Sequence, residues 1–301
     1  MEEYRKRIES LRKERNAVIL AHNYQPPEIQ DLADSTGDSL ELSRRAVDTE
    51  AEVIVFCGVG FMAETAAILN PDKIVVLPRP EAGCPMADMI AASDVIRIRR
   101  EHPGIPVVTY VNSSATVKAE STVCCTSANS VRVVESFEDR DAVYMAPDRN
   151  LARYTARHTS KTVHFWNGYC PVHEGLSSED VQACREKHPG ALFLAHPECR
   201  PEVLDLADVV QSTSGMLRFV RESSASSFIV GTESGILHPL RSQSPEKKFI
   251  PASPRMICPD MKRIGLEDVC KSLENLEPRV TVPEEVRLRA LKAVERMIAL
   301  K

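Results

Sequence analysis

The chain has 301 residues, more than one small hydrophobic core usually holds, so we expect roughly two or three compact units. Its hydrophobic fraction of 43% and charged fraction of 27% are typical of an ordinary soluble globular protein. The net charge of −5 argues against nucleic acid or an acidic membrane surface as a partner.

The first sixteen residues, MEEYRKRIESLRKERN, predict an amphipathic helix. They lack the apolar segment and the small-residue cleavage site of a signal peptide. No apolar run in the chain approaches the ~18 residues that a membrane span needs, so we expect no membrane association. Nine cysteines without an export signal favour the reducing cytoplasm, where regularly spaced cysteines indicate metal binding before disulfides.

Taken in chain order, the predicted elements form one pattern that occurs three times. A short apolar run predicts the first strand of each copy, at residues 17–21, 107–111 and 191–195. A helix is then predicted at residues 39–47, 127–135 and 213–221. Two more strands follow each helix, at 53–57 and 73–77, at 142–146 and 162–165, and at 228–231 and 248–250. Such alternation predicts parallel sheets with helices on both faces.

The repetition predicts an α/β fold of three homologous parallel-sheet αβα units, arranged with pseudo-threefold symmetry around a central active site. We place these units at residues 1–92, 93–178 and 179–282. An amphipathic C-terminal helix at residues 283–301 is expected to pack on the first unit. Because ligands of parallel sheets bind beyond the carboxyl ends of the strands, the three units should share one site.

A Cys-Pro pair follows the last predicted strand of each copy. The three cysteines, Cys84, Cys170 and Cys258, recur at spacings of 86 and 88 residues. Three thiolates without a fourth suit an iron–sulfur cluster, or a zinc ion, with one position left open for chemistry. The other six cysteines match no repeated position, so we interpret them as packing residues.

Three hydroxyl residues also recur, each at the predicted start of a helix. They are Ser39, Ser127 and Thr213. Hydroxyl side chains at this position commonly cap the helix, so we expect each of the three to be an N-cap. However, three helix N-termini that converge on one axis would also form an anion site, because their free N–H groups and dipoles favour negative charge. We therefore predict a small polyanionic substrate.

Candidate proton-transfer residues lie at the end of the first predicted strand of each copy or just after it, in the matched sets His22-x-Tyr24, Tyr110-x-Asn112 and His196-x-Glu198. His173 lies three residues after Cys170. Together these side chains offer the graded acids and bases that eliminations and condensations need.

Three alternatives remain open on these residues. The same three cysteines could hold zinc in a hydrolase or lyase. The glycine-containing turn at residues 58–63 could bind a nicotinamide cofactor in an oxidoreductase. A protein without enzymatic activity could use an iron–sulfur cluster for sensing or as a scaffold.

The chain resembles the quinolinate synthase family along nearly its whole length. The motifs that carry the resemblance are AHNYQPPEIQDLAD, GDSLELS, AGCPMAD, TYVNSSATVKA, WNGYCPVHE, GTESGI and MICPDMK. The resemblance implies a triplicated α/β fold around a [4Fe-4S] cluster with one iron open to substrate. It also implies the condensation of iminoaspartate with dihydroxyacetone phosphate to quinolinate, phosphate and water, in de novo NAD biosynthesis.

The resemblance further implies a role for each matching residue. The cluster ligands would be Cys84, Cys170 and Cys258. The catalytic residues would be Tyr24, Tyr110, His196 and Glu198. The substrate-binding residues would be His22, Ser39, Asn112, Ser127, His173 and Thr213. An L-aspartate oxidase or an aspartate dehydrogenase is the expected functional partner, because either would supply iminoaspartate.

Overall fold

In a computed structural model that describes residues 2–300, the chain forms three four-stranded sheets whose strands are all parallel. The strand order is the same in each sheet: the second strand of the unit lies outermost, followed by the first, the third and the fourth. The predicted α/β class with three parallel-sheet units is therefore confirmed. Among residues 2–300, no helix is both long and apolar enough to cross a bilayer.

The first sheet lies near the N-terminus. Its strands are β1 (Ala17–His22), β2 (Ser35–Gly37), β3 (Val53–Cys57) and β4 (Ile74–Val76). The helices around it are α1 (Glu2–Glu14), α2 (Pro27–Gln30), α3 (Ser39–Asp48) and α4 (Gly60–Leu69), and a 3-10 turn follows at Ala87–Met89. Every residue of β3 is buried, as expected for a central strand that is covered on both faces.

The second sheet repeats this arrangement. Its strands are β5 (Val107–Tyr110), β6 (Val123–Cys125), β7 (Ala142–Ala146) and β8 (Thr162–Phe165). Its helices are α5 (Ala92–Glu101), α6 (Ala115–Glu120), α7 (Ser130–Glu135), α8 (Arg149–Ala156) and α9 (Pro171–Glu174).

The third sheet again has the same order. Its strands are β9 (Leu192–Ala195), β10 (Val209–Val210), β11 (Ser227–Gly231) and β12 (Lys248–Pro251). Its helices are α10 (Ser178–Lys187), α11 (Pro201–Leu204), α12 (Thr213–Glu222), α13 (Leu237–Gln243) and α14 (Leu266–Asn275), with 3-10 turns at Ser234–Ile236 and Asp260–Lys262.

One backbone hydrogen bond recurs at the same place in all three units. In each, the N–H group three residues beyond the third strand donates to the carbonyl two residues before the cysteine of the Cys-Pro pair. The pairs are Gly60 to Ala82, Arg149 to Gly168, and Ser234 to Met256, each at 2.8 Å. The same bond therefore ties the Cys-Pro loop to the turn after the third strand in every unit.

Each sheet contains one short strand that the sequence does not predict. These strands, β2, β6 and β10, have only two or three residues and pair with the outer side of the first strand of their unit. A strand this short carries too few residues for a period of two to be visible. The turn before it is anchored to the first strand, since Asp34 accepts a hydrogen bond from the N–H of Ile19 and Asp208 accepts one from Phe193.

The units share their hydrophobic core. One continuous cluster of buried side chains includes Ile54 of the first sheet, Val108 of the second and Val230 of the third. Burial of apolar area is the main stabilising contribution to such a fold. The three sheets therefore support one another.

The C-terminal helix α15 (Glu284–Ala299) contacts both the first and the second unit. It packs against α6 and β6, and also against α4 and α3. Its buried face consists of Ala290, Ala293, Val294 and Met297. The expectation that this helix packs on the first unit therefore describes only part of its contact surface. Residue 301 of the predicted range lies outside the described residues.

Candidate active site

One cavity of about 140 Å³ lies where the three units meet. Every site residue that the sequence predicts lines this cavity. It lies at the carboxyl ends of the first strands, since His22 ends β1, Tyr110 ends β5 and His196 directly follows β9. The topology therefore brings together residues that are far apart in the chain.

The three cysteines of the Cys-Pro pairs are partly buried in the cavity wall. Each is followed by a short helical turn, at Ala87–Met89, Pro171–Glu174 and Asp260–Lys262. Burial raises the pKa of the Cys84 thiol to about 12, while the nearby backbone N–H groups of Ala87 and Met86 act in the opposite direction. Burial likewise raises the pKa of Cys170 and Cys258.

This donor set fits a soft metal centre. Three thiols converge on one cavity, and N–H groups of the turns that follow them favour the thiolate form. Thiolates bind iron–sulfur clusters and zinc, and metal coordination removes their protons. The site could therefore hold either kind of centre.

A second possible metal group overlaps with the first. One donor atom each from Cys170, His173 and Glu198 lies within 4.8 Å of the others. His173 Nδ1 is 2.7 Å from Glu198 Oε2 and 3.2 Å from Cys170 Sγ. A hydrogen bond from Nδ1–H to the carboxylate accounts for this short distance without an ion.

Two helix N-termini meet at the cavity, but the predicted hydroxyl residues do not cap them. The N-cap of α3 is Asp38, which accepts from the N–H groups of Leu40 and Glu41 at 3.0 Å. The N-cap of α12 is Ser212, whose hydroxyl also donates to Asp38 Oδ2 at 3.2 Å. The capping prediction for Ser39 and Thr213 is therefore wrong.

Both residues occupy the first helical position and line the cavity. Their hydroxyl groups are not needed for capping, because the preceding residue in each case supplies the cap. Asn23 Nδ2 donates to Thr213 Oγ1 at 3.3 Å. The hydroxyl groups of Ser39 and Thr213 can therefore face a ligand.

Ser127 does not begin a helix either. The helix α7 begins at Ser130, and Asn129 Oδ1 accepts a hydrogen bond from the Thr126 N–H at 2.8 Å. This local side-chain bond competes with the helix and delays its start. Ser127 therefore lies in a loop, where its hydroxyl is 3.2 Å from His196 Nε2.

A chain of hydrogen bonds connects Tyr24 to Glu198. The Tyr24 hydroxyl lies 2.5 Å from Thr232 Oγ1, which lies 2.8 Å from His173 Nε2. One assignment of hydrogens satisfies every contact: Tyr24 donates to Thr232, Thr232 donates to His173 Nε2, and His173 Nδ1–H donates to Glu198. All the donors then point toward the Glu198 carboxylate.

The electrostatic environment separates these groups into donors and acceptors. Burial raises the pKa of Tyr24 and of Tyr110 well above the ordinary range, so both phenols stay protonated. Burial opposes ionisation of Glu198, but interactions with His173, His196 and Tyr110 lower the pKa of this carboxyl. It is therefore ionised at neutral pH.

The remaining histidines of the cavity are neutral. Burial lowers the pKa of His22 to about 3, and Lys262 contributes in the same direction. Burial also lowers the pKa of His196 to about 3, although Glu198 opposes this shift. Both imidazole rings are therefore suited to hydrogen bonding rather than to carrying charge.

Asn112 offers an acceptor to a ligand. Its Oδ1 is buried and has no hydrogen-bond partner among residues 2–300, and the side chain lines the cavity. Buried polar atoms are rarely left without a partner. The carboxamide is therefore suited to accept a hydrogen bond from a ligand.

Sequence reasoning missed three residues that support the site, namely Thr232, Asp148 and Glu233. Their partners are distant in the chain: Thr232 contacts Tyr24, Asp148 accepts from the N–H of Cys170, and Glu233 accepts from the N–H of Cys258. Their position just after the third strand is the only available signal, because ligands of such sheets collect at that edge.

The comparisons with known proteins extend through all three units. The model of the quinolinate synthetase A protein family (NadA) matches residues 6–299. A quinolinate synthase of Geobacter metallireducens is 55% identical over 293 residues, which cover 97% of this chain and 96% of the relative. A quinolinate synthase of Desulforudis audaxviator is 56% identical over 294 residues, 97% of each chain. Quinolinate synthase 1 of Methanosarcina acetivorans is 54% identical over 296 residues, 98% and 97% of the two chains.

Proposed function

The chain belongs to the quinolinate synthetase A family, and on this basis we propose that it condenses iminoaspartate with dihydroxyacetone phosphate to give quinolinate, phosphate and water. This reaction serves de novo NAD biosynthesis in the cytoplasm. An L-aspartate oxidase or an aspartate dehydrogenase would supply iminoaspartate. The observation that carries the proposal is the convergence of three cysteines, two helix N-termini and an acid–base network on one cavity.

We assign a [4Fe-4S] cluster to Cys84, Cys170 and Cys258, with one iron left without a protein ligand. The donor set supports this assignment, because three thiols in a partly buried pocket are the ligands that such clusters use. When bound, the cluster supplies a Lewis-acidic iron for the removal of water.

The substrates of this reaction are anionic, and the cavity can bind anions without a salt bridge. The N-termini of α3 and α12 lie side by side, since their caps Asp38 and Ser212 share a hydrogen bond. Their dipoles and the hydroxyl groups of Ser39 and Thr213 favour carboxylate or phosphate oxygens. Ser127 approaches from the second unit.

The acid–base network supports the proton transfers that condensation and dehydration require. Glu198 is ionised and can accept a proton, whereas Tyr24 and Tyr110 are protonated and can donate one. His22 and His196 are neutral and would orient the substrate. The Asn112 carboxamide would accept a hydrogen bond from the nitrogen of the substrate.

A mononuclear zinc lyase or hydrolase is the second candidate, because the same three thiols, Cys84, Cys170 and Cys258, could bind a zinc ion and leave one position open. The first candidate predicts iron together with acid-labile sulfide, whereas the second predicts zinc without sulfide. A non-enzymatic cluster protein is the third, and only turnover distinguishes it from the first.

The test is to measure iron, zinc and acid-labile sulfide per chain in protein purified without oxygen, and to assay quinolinate formation with iminoaspartate generated in the assay. We expect about four iron and about four sulfide, with a broad absorption band at about 400 nm. Quinolinate must form at the same time. Zinc without sulfide would support the second candidate, and a loaded cluster without turnover would support the third.

A further inference from the structure

Two of the three candidate ligand cysteines are held through their backbone N–H by a buried carboxylate. Asp148 Oδ2 accepts from the N–H of Cys170, and Glu233 Oε1 accepts from the N–H of Cys258, each at 3.1 Å. Asp148 is 2% exposed and Glu233 is 1% exposed. Each carboxylate lies two residues beyond the third strand of its unit.

The first unit lacks this carboxylate. The recurring hydrogen bond between the turn and the Cys-Pro loop shows that Val59 takes the place of Asp148 and Glu233. Val59 is buried and its side chain carries no acceptor. The N–H of Cys84 therefore has no carboxylate partner at this position, and the three ligand loops are held unequally.

Only one oxygen of each carboxylate accepts a hydrogen bond that caps a helix or 3-10 turn. Asp148 Oδ1 accepts from the N–H of Leu151 at 2.6 Å and caps α8, while Oδ2 is free to hold Cys170. Glu233 Oε2 accepts from the N–H of Gly235 at 2.7 Å, while Oε1 holds Cys258. Each side chain therefore joins a helix or 3-10 turn to a ligand loop.

The site of Glu233 is also fixed to the first unit. Lys262 Nζ lies 2.9 Å from Glu233 Oε1 and donates to the backbone carbonyl of Tyr24. Gly235 packs so closely on Tyr24 that an added Cβ would lie 2.7 Å from its backbone. The loop of Cys258 and the loop of Tyr24 are therefore held by one set of contacts.

We propose that Asp148 and Glu233 are positioning residues for the metal centre, which hold the loops of Cys170 and Cys258 in the ligating geometry and leave the loop of Cys84 free to adjust. The inference rests on the proposed function, since it requires a bound cluster. Outer groups that fix metal ligands in this way typically contribute about 10- to 100-fold in metal affinity. A buried N–H that loses its acceptor also carries a desolvation penalty.

The test uses Asp148→Asn and Glu233→Gln in the cluster-loaded protein. The carboxamide keeps one oxygen, which can still cap the helix or turn, but its NH₂ group cannot accept from the cysteine N–H. We expect iron release to a chelator to be about 10-fold faster or more in both variants. The melting temperature of the cluster-free protein should fall more in Glu233→Gln, which also loses its ion pair with Lys262, than in Asp148→Asn, so iron release is compared at a temperature where both variants are folded.

One further measurement and a control variant distinguish the positioning of the ligand cysteines from a general effect on stability. Replacing an acidic side chain by an amide changes the charge and the hydrogen bonding around the ligand cysteines, so the reduction potential of the loaded variants should differ from that of the parent. Ser177→Ala is the control, because Ser177 caps α10 and does not line the cavity. It should lower the melting temperature and leave both iron release and the potential unchanged.

The outcomes distinguish this inference from the proposed function. If the parent protein takes up no iron and sulfide, the proposed function fails and the inference fails with it. If the parent is loaded but both variants release iron at the parental rate and keep its potential, only the inference is overturned. Lower melting temperatures with unchanged iron release would mean that the two carboxylates are caps alone.

Discussion

The hydroxyl groups of Tyr24 and Thr232 lie 2.5 Å apart, although 207 residues separate them in the chain. The Thr232 hydroxyl also donates a hydrogen bond to His173 Nε2, and His173 Nδ1–H donates to Glu198. A tyrosine of the first unit and a carboxylate of the third therefore belong to one hydrogen-bonded chain. Protonation of one end can be coupled to the other.

Thr232→Val tests this chain, because valine has the shape of threonine without the hydroxyl. We expect cluster content to be unchanged and kcat to fall by roughly 10- to 100-fold, since proton transfer by a positioned group contributes about 10²-fold or more. A double variant with Tyr24→Phe should be no worse than the poorer single variant if both act through one chain. Thr155→Val, which removes a buried hydroxyl bonded to Ser130 and Leu151, is the control. If the losses of kcat in the two single variants instead add up in the double variant, Tyr24 and Thr232 act independently.

Tyr110→Phe should change the pH dependence of turnover. The phenol of Tyr110 helps to lower the pKa of Glu198, so its removal should let that pKa rise. Glu198 would then be protonated over a wider acidic range, and activity should be lost at a higher pH than in the parent. The measurement is kcat/KM against pH. A profile with an unchanged acidic limb would remove Tyr110 from the environment of the base.

Tyr24→Phe should keep the cluster and lose most of the turnover, because its protonated phenol lines the cavity as a proton donor. Iron content and quinolinate formation are measured on the same preparation. Full activity would exclude Tyr24 from the mechanism.

Replacement of Cys84, Cys170 or Cys258 by serine should abolish retention of iron and sulfide, since each lines the cavity. Cys184→Ser is the matched control. Cys184 is also partly buried, but its sulfur contacts the carbonyl of Pro251 and does not line the cavity. Full iron and sulfide content in any of the first three variants would contradict the ligand assignment.

Thr213→Ala and Ser212→Ala should affect different properties, since the first should mainly weaken ligand binding and the second should mainly lower stability. Ser212 caps α12, so its replacement should cost about 1 kcal/mol of stability. Thr213 does not cap the helix, so its replacement should weaken the binding of quinolinate more than the replacement of Ser212 does, although the loss of its hydrogen bond from Asn23 also costs some stability. Quinolinate titration and thermal melting are measured on both. The reverse pattern would assign Thr213 to the scaffold.

The repeated residues made the fold and the cavity predictable. Cys84, Cys170 and Cys258 recur after corresponding strands, and parallel strands bring such positions to one edge. The contacts between units could not be predicted, because Thr232 and Tyr24 are neighbours only after the sheets pack together. The pseudo-threefold arrangement, the unit boundaries and the role of each site residue stay predictions.

Local hydrogen bonds explain why the predicted helix start at Ser127 and the predicted helix caps were wrong. The sequence around Ser127 is compatible with a helix, but the Asn129 carboxamide bonds to Thr126 and the helix starts later. Asp38 and Ser212 took the capping positions that Ser39 and Thr213 were expected to fill. Any of these residues can cap a helix, so residue type alone does not identify the cap.

The contact of α15 with the second unit has a consequence for how the protein is made. Asn129, which shapes the loop of Ser127, donates to the carbonyl of Met297 at 3.3 Å. Because Met297 follows every residue of the cavity in the chain, the ribosome delivers this anchor after all of them. The loop of Ser127 therefore gains this contact only after every residue of the cavity has been synthesised.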